Sequence, residues 1–278
     1  MTRKTVLITG CSSGIGHHAA HALATRGWQV IATCRKPEDA ARLEQEGLES
    51  FVLDLASTES IEAGFEEAMR RTDGKLDALF NNGAFAQPGA IEDLPTDALR
   101  AIFETNFFGW HTLTCAAIRV MRRQGRGRIL QNSSVLGFIA LRMRGAYNST
   151  KFAVEGYTDT LRLELRDSGI HIALLEPGPV RTLIRENSRP HYERWIDRQN
   201  SAWAAFYRET LEPRLYADAS ATRDPGELTC EATTRAVLHA LENPRPRLHY
   251  PVTTPTWMMA AFKRTLPPRL VDAIAVKV

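Results

Sequence analysis

The chain has 278 residues, 44% of them hydrophobic, and sets 35 lysines and arginines against 32 aspartates and glutamates for a formal charge of +3. The length permits one large α/β domain or two small ones, and with a mean hydropathy of −0.27 there is material for a sizeable core. The charge is too near neutral to argue for a nucleic-acid partner, and no apolar run approaches the ~18 residues needed to span a bilayer.

Met1-Thr2-Arg3-Lys4 leads straight into an apolar run, leaving no room for a signal peptide. Cys11, Cys34, Cys115 and Cys230 have neither metal-ligand nor disulfide spacing. A cytoplasmic location is the expectation.

Residues 5–9 form a β-branched apolar run, predicted as the first strand. Gly10-Cys11-Ser12-Ser13-Gly14-Ile15-Gly16 follows at once, and then Ala19, Ala20, Leu23 and Ala24 mark a helical apolar stripe. Strand, glycine-rich turn and helix is the setting that a dinucleotide phosphate requires, because glycines let the backbone pass close to a pyrophosphate at a helix N-terminus. The spacing is G-x-x-x-G-x-G rather than G-x-G-x-x-G, so an ordinary strand-to-helix turn is the alternative. His17 and His21 stand four apart on this helix but lack an accompanying ligand set, so no metal site is expected and the imidazoles are read as solvated or capping.

The second strand, predicted over 29–33, runs into Cys34-Arg35-Lys36. An NAD enzyme places an acid about where Cys34 stands, to accept hydrogen bonds from the ribose hydroxyls. Here the acid is absent and two cations follow. An arginine can grip the additional phosphate of NADP with paired hydrogen bonds, so Arg35, assisted by Lys36, is the candidate for NADP(H) selectivity. A solvated basic turn is the plainer alternative.

Further strands are predicted over 50–53, 78–81, 128–132, 170–175 and 248–251, and helices over 14–26, 38–46, 58–71, 96–123, 145–168 and 227–242. Continuous apolar strands imply a sheet covered on both faces, and strand–helix alternation implies parallel pairing. The prediction is a single-domain, doubly wound, Rossmann-like α/β sheet of about seven strands with helices on both faces, covering 1–278.

Tyr147 and Lys151 lie four apart in an amphipathic stretch, with Ser134 thirteen residues before the tyrosine. Residues four apart share a helix face, so an ammonium can sit beside a phenol and lower its pKa from the usual ~10. A serine from the end of the neighbouring strand can then hold a carbonyl or alcohol oxygen against the tyrosine hydroxyl. Alone, such a pair is more often packing and surface. Ser133 is the rival serine, and the spacing favours Ser134.

The alternation breaks over 183–224, where Tyr192, Trp195, Trp203, Phe206 and Tyr207 stand among many charges. The position, after the sixth strand, favours a helical substrate cover over a disordered linker; a packing insertion or subunit contact is the alternative. The tail, about 253–278, has an apolar run from Thr256 through Phe262 followed by Lys263-Arg264. Closing over the substrate, packing on another subunit and touching a membrane surface all remain open for it.

Taken together, Thr9-Gly10-Cys11-Ser12-Ser13-Gly14-Ile15-Gly16, Asn81-Asn82-Gly83-Ala84, Ser134, Tyr147-x-x-x-Lys151 and Pro177-Gly178-Pro179-Val180-x-Thr182 resemble, in order and spacing, the short-chain dehydrogenase/reductase family. The chain is further similar to bacterial NADP-dependent aldehyde reductases in the branch that holds retinol and hydroxysteroid dehydrogenases. One departure is Asn-Asn-Gly-Ala where the family usually has Asn-Asn-Ala-Gly. The resemblance implies hydride transfer between nicotinamide and a carbonyl carbon, with Ser134 and Tyr147 holding the oxygen, Tyr147 moving the proton, and Lys151 tuning the tyrosine and bonding the nicotinamide ribose. It implies that Asn106 holds a water linking Lys151 to solvent. Cofactor contacts are implied for Gly10, Ser12, Ser13, Gly14, Ile15 and Gly16 at the phosphates, and for Asp54 with Leu55 at adenine. Asn81 and Gly83 would lie along the adenosine ribose and under the nicotinamide half, and Pro177, Gly178, Val180 and Thr182 beside nicotinamide. The expected activity is NADPH-dependent reduction of an aldehyde or ketone with an apolar body. The alternatives are an alcohol, retinoid or steroid dehydrogenase running oxidatively and, more remotely, a dinucleotide-sensing regulator without chemistry. A homodimer or homotetramer is implied as well.

Overall fold

Side chains of successive strand residues point to opposite faces, and in this protein both faces are covered. Val6, Ile8, Val30, Ala32 and Phe80 pack to one side of the sheet, Leu7, Ile31, Leu79 and Ile129 to the other. The computed structural model describes residues 3–218 and 223–276. Seven strands make one parallel sheet: β1 (Thr5–Ile8), β2 (Gln29–Cys34), β3 (Glu49–Val52), β4 (Ala78–Asn81), β5 (Gly127–Asn132), β6 (Ile170–Glu176) and β7 (His249–Pro251). Their spatial order is β3-β2-β1-β4-β5-β6-β7, so the winding direction reverses between β1 and β4.

One face is covered by α1 (Gly14–Thr25), α2 (Pro37–Gln45) and α10 (Cys230–Glu242), through Ala19, Ala20, Leu23, Leu43, Val237 and Leu241. The other is covered by α3 (Thr58–Arg71), α5 (Gly109–Gln124) and α6 (Gly145–Glu164), through Ile61, Trp110, Leu113, Val154 and Leu161. Each such aliphatic or aromatic side chain contributes ~1.5–3 kcal/mol by leaving water, which is why the doubly wound prediction holds.

The observed boundaries differ from prediction where local chemistry intervenes. The helix expected over 96–123 is three segments: α4 (Thr96–Phe103), a π turn over Glu104–Phe108, and α5. The π turn contains fully buried Asn106, whose side chain bonds the backbone of Phe85 rather than the helix. The helix expected from 227 starts at Cys230, because Gly226 turns the chain at φ 72° and Leu228 bridges to Val180. The helix expected to reach 168 ends at Glu164.

Among the described residues of the 183–224 stretch the helical segments are α7 (Ile184–Trp195), α8 (Ala204–Phe206), a π turn over Tyr207–Leu211, and α9 (Glu212–Tyr216). Its aromatics form their own cluster, with Tyr192, Ile196, Tyr207, Leu211 and Leu215 packed on Ala90 and Met143. His191 also stacks on Phe85 with ring centroids 3.8 Å apart, fixing α7 over the loop after β4. The tail folds as α11 (Thr254–Thr265) and α12 (Pro268–Ala275). Residues 1–2, 219–222 and 277–278, which include parts of the predicted excursion and tail, lie outside the described residues. Among the described residues, no helix is long and apolar enough to cross a membrane.

Candidate active site

In a doubly wound sheet the crevice opens where the strand order reverses, at the carboxyl ends of the strands. Here that is the end of β1 beside β4, and the glycine loop occupies it. Gly10 and Gly14 take φ of 69° and 63°, a region that side chains disfavour. A Cβ on Gly10 would stand 2.5 Å from Gly83 Cα, and one on Gly16 would stand 2.6 Å from Gly10 O. The loop therefore crosses the β4 loop at backbone contact. Ser13 caps α1 without a side-chain hydrogen bond, and no acid stands in the first turn. The first N–H groups of α1 are thus left for an external acceptor, and Ser12, Ser13, Gly14 and Ile15 line the cleft. Uncapped amides at a glycine turn fit a dinucleotide pyrophosphate.

The inverted Asn-Asn-Gly-Ala motif suits this crossing. A Cβ at Gly83 would meet Leu55 Cδ1 at 2.8 Å and Gly10 N at 3.2 Å, so glycine at that position spares both neighbours. Trp110 Nε1 donates to Gly83 O at 2.8 Å and holds the segment from beneath.

Ser134, Tyr147 and Lys151 all line the same cleft. Ser134 sits just after β5, its Oγ accepting from Leu136 N and donating to Pro177 O at 3.4 Å. Ser133 is committed elsewhere: its hydroxyl donates to Glu155. Lys151 is 1% exposed and Tyr147 8%. The lysine ammonium donates to Asn132 O at 2.6 Å and lies 4.5 Å from the Trp110 ring and 5.4 Å from the Tyr147 ring.

The electrostatics correct one sequence expectation. Burial pushes Tyr147 up to about 12, opposed by the Ser134 hydroxyl and by the Arg144 charge. Burial pushes Lys151 down to about 7, with Glu155 acting the other way. The groups that oppose the upward shift of Tyr147 are Ser134 and Arg144, and Lys151 is not among them. Spacing reveals the shared face but not the burial that decides which group ionises first. Glu155, one turn beyond Lys151, is itself pushed up to about 7 by burial and by Glu176.

The other expected residues divide. Gly10, Gly83, Pro177, Gly178, Val180 and Thr182 line the cleft, and Thr182 Cγ2 would stand 3.1 Å from a Cβ on Gly14. Gly16 lies behind them at the loop crossing. A Cβ on Gly178 would meet the hydroxyls of Thr253 and Thr256 at 2.2 and 2.5 Å, so α11 presses on this loop. Asn81 is not brought to the cleft: fully buried, its Nδ2 donates to Thr114 and Gln131 at 2.9 Å. Strand alternation turns Asn82 inward instead, where Nδ2 bonds Thr9 O and Gly10 O and Oδ1 accepts from Asn132. Asn106 fastens Phe85 N and O, at 3.1 and 2.9 Å, and Thr150 Oγ1 at 3.3 Å. Asp54 caps its own turn through Ala56 N, while Leu55 is buried under Gly83.

Arg35 is exposed, without a hydrogen bond or ion pair among the described residues, and Lys36 Nζ lies 3.7 Å from Glu38. Arg42, which sequence reading missed, donates to Ser12 O at 2.6 Å and to Asp39 and Glu46. His17 and His21 are neither capping nor simply solvated, since both reach Glu46 Oε2, at 2.7 and 2.8 Å. That carboxylate arrives from the end of α2, which spacing on α1 cannot show. Arg144, Asn132 and Glu155 were likewise missed, and only their distances from Tyr147 and Lys151 along α6, or from Ser134, signalled them.

The family model for short chain dehydrogenases matches residues 4–193. The oxidoreductase YbbO of Escherichia coli K12 is 39% identical over 273 residues, 98% of this chain and 94% of its own. Human 17-beta-hydroxysteroid dehydrogenase type 1 is 32% identical over 262 residues, 90% of this chain and 77% of its own. A crystallographic short-chain dehydrogenase from Streptomyces avermitilis superposes with a TM-score of 0.80 at 25% identity, covering 98% of this chain and 96% of its own. With the glycine loop at the switch point and Ser134, Tyr147 and Lys151 in one cleft, these likenesses have one reading: the chain belongs to the short-chain dehydrogenase family of oxidoreductases.

Proposed function

We propose that the protein is an NADPH-dependent reductase of aldehydes or ketones with apolar bodies, with Tyr147 as the proton donor. The carrying observation is the meeting of Ser134, Tyr147 and Lys151 in one cleft beside the glycine loop. The buried Tyr147 hydroxyl keeps its proton at neutral pH and so has one to give. Ser12, Ser13, Gly14 and Ile15, with the Asn82–Gly83 turn, would hold the dinucleotide, which would supply the hydride for the carbonyl carbon. Tyr147 gives its proton to the carbonyl oxygen, completing the alcohol, and is reprotonated from solvent. Ser134 steadies that oxygen as negative charge grows on it, an interaction stronger in the transition state than in the ground state. Lys151, fixed on Asn132 O, is the group for the nicotinamide ribose.

The preference for NADPH rests on Arg35 and Lys36 at the end of β2, where no acid stands to repel a phosphate. Apolar lining from Leu136, Leu141, Leu183, Ile184 and Leu215 supports an apolar substrate body. The reverse reaction, oxidation of an alcohol, retinoid or steroid with NADP, is the second reading, favoured by the human relative's name. Exposed Phe108 and Phe152, at 48% and 40%, support a homodimer or homotetramer. Four free cysteines support a cytoplasmic location.

The test follows NADPH absorbance over a panel of aldehydes, ketones and steroids. Tyr147→Phe should lower turnover by about 10²–10⁴-fold while NADPH still binds. Absence of turnover across the panel by folded, NADPH-bound protein would overturn the reading.

A further inference from the structure

Lys151 stands one turn after Tyr147 on α6, and Arg144, the residue that caps the start of α6, stands three residues before it. Lys151 marks the cofactor side: it is tied to Asn132, which is tied to Asn82 at the glycine-loop crossing. Arg144 lies on the other side of Tyr147 along the chain and lines the same cleft, together with Leu141, Leu183 and Leu215.

Its backbone is held with unusual firmness. Met143, immediately before it, takes a left-handed φ of 59° although it is not a glycine. That conformation is disfavoured for a side-chain-bearing residue and persists only where surroundings impose it. Gly89 N donates to Met143 O at 3.0 Å, Gly89 bridges to Arg144, and the Met143 side chain is buried in the Tyr192–Tyr207 cluster. The chain is pinned on both sides of the arginine.

The guanidinium itself has no hydrogen bond or ion pair among the described residues. The nearby carboxylate, Asp224, is engaged by Arg185 at 3.0 Å and by Arg214 at 2.9 Å. Those two arginines and burial all disfavour the Arg144 charge, burial most, yet at about 10 it stays protonated at neutral pH. A desolvated cation without a partner, aimed into a cleft, is costly unless a ligand supplies the anion.

We propose that Arg144 anchors a carboxylate carried by the carbonyl substrate a few bonds from its reacting carbon. This rests on the reductase reading above and narrows it to oxo acids with an apolar body. Arg144 and Tyr147 stand three residues apart at the start of α6 and line the same cleft, so one small substrate can reach both. One free guanidinium fork matches the two oxygens of a carboxylate.

The experiment compares 4-formylphenylacetate with its methyl ester, in which the methylene insulates the aldehyde so that the two match in reach and differ little in reactivity but differ in charge, by NADPH oxidation. Wild-type protein should favour the acid in kcat/KM by about 10-fold or more, chiefly through KM. Arg144→Leu should collapse that ratio towards one while NADPH affinity, read by fluorescence titration, stays at the wild-type value. Arg144→Lys, keeping the charge without the fork, should fall between. Equal rates on acid and ester in the wild type would overturn the proposal and leave the reductase reading standing. So would an Arg144→Leu protein that loses NADPH affinity instead, since the guanidinium would then serve a cofactor phosphate. No oxidation of NADPH with either compound would remove the reductase reading and the proposal with it.

Discussion

Replacing Lys151 by methionine should abolish turnover and yet stabilise the cofactor-free protein. Burial holds this amine at about 7 rather than its ordinary 10.5, a displacement equivalent to roughly 5 kcal/mol at ~1.4 kcal/mol per pH unit. Between those two values the unfolded chain carries a proton that the native chain has lost, so native stability rises with pH through that window, and the cost is felt in full below it. From pH 7 to pH 9 the rise works out at roughly 2 kcal/mol. Tyr147, displaced upward from 10 to about 12, acts only above this interval and with the opposite sign. Glu155, displaced upward from 4.5 to about 7, acts below it. Methionine removes the penalty but leaves Asn132 O without its donor, a loss of about 1–3 kcal/mol. The net gain at pH 7 should then be about 2 kcal/mol. Urea denaturation of both proteins at pH 7 and pH 9 reads the effect directly. Wild type should gain stability between the two pH values, and Lys151→Met should not. An equal pH slope in the two proteins would refute a depressed lysine.

Two further substitutions probe parts of the site that geometry and resemblance describe differently. Arg35→Glu should weaken NADPH binding by roughly 10–100-fold through loss of a charge-assisted phosphate contact and leave NADH binding as it was; fluorescence titration with both cofactors decides, and an equal change in both would count against Arg35. Asn106→Ala should strand the Phe85 N–H and C=O inside the protein at about 1–3 kcal/mol each. Melting should fall by roughly 5–15 °C as a result, and a drop in kcat without one would show that Asn106 serves the chemistry rather than the latch.

Much of the fold was legible because its strands announce themselves. Residues 78–81 were placed without error, and other strand ends moved by a residue or so, since an apolar run between turn residues has little freedom. Tyr147, Lys151 and Ser134 were legible because spacing on a helix and position after a strand are local facts. What escaped was set by depth and by parity. The lysine's lowered pKa depends on how completely α6 sinks against Trp110. A strand's two-residue period sends Asn82 rather than Asn81 into the cleft, and a motif shared by both cannot tell them apart. The π turn at Asn106 arises from a partner twenty-one residues away, Phe85, so no helical pattern within 96–123 could contain it. Glu46 and Arg42 likewise reach the glycine loop and its helix from α2.

The closeness of Gly178 to Thr253 and Thr256 gives α11 a part in the cleft that its position near the end of the sequence would not suggest. With both threonine hydroxyls wedged where a methyl group would otherwise go, the strand-end loop through Pro177 and Thr182 has no slack on its outer side. α11 works as a keystone: a shift of that helix presses on the loop from Pro177 to Thr182, so one wall of the cleft is braced from outside the sheet.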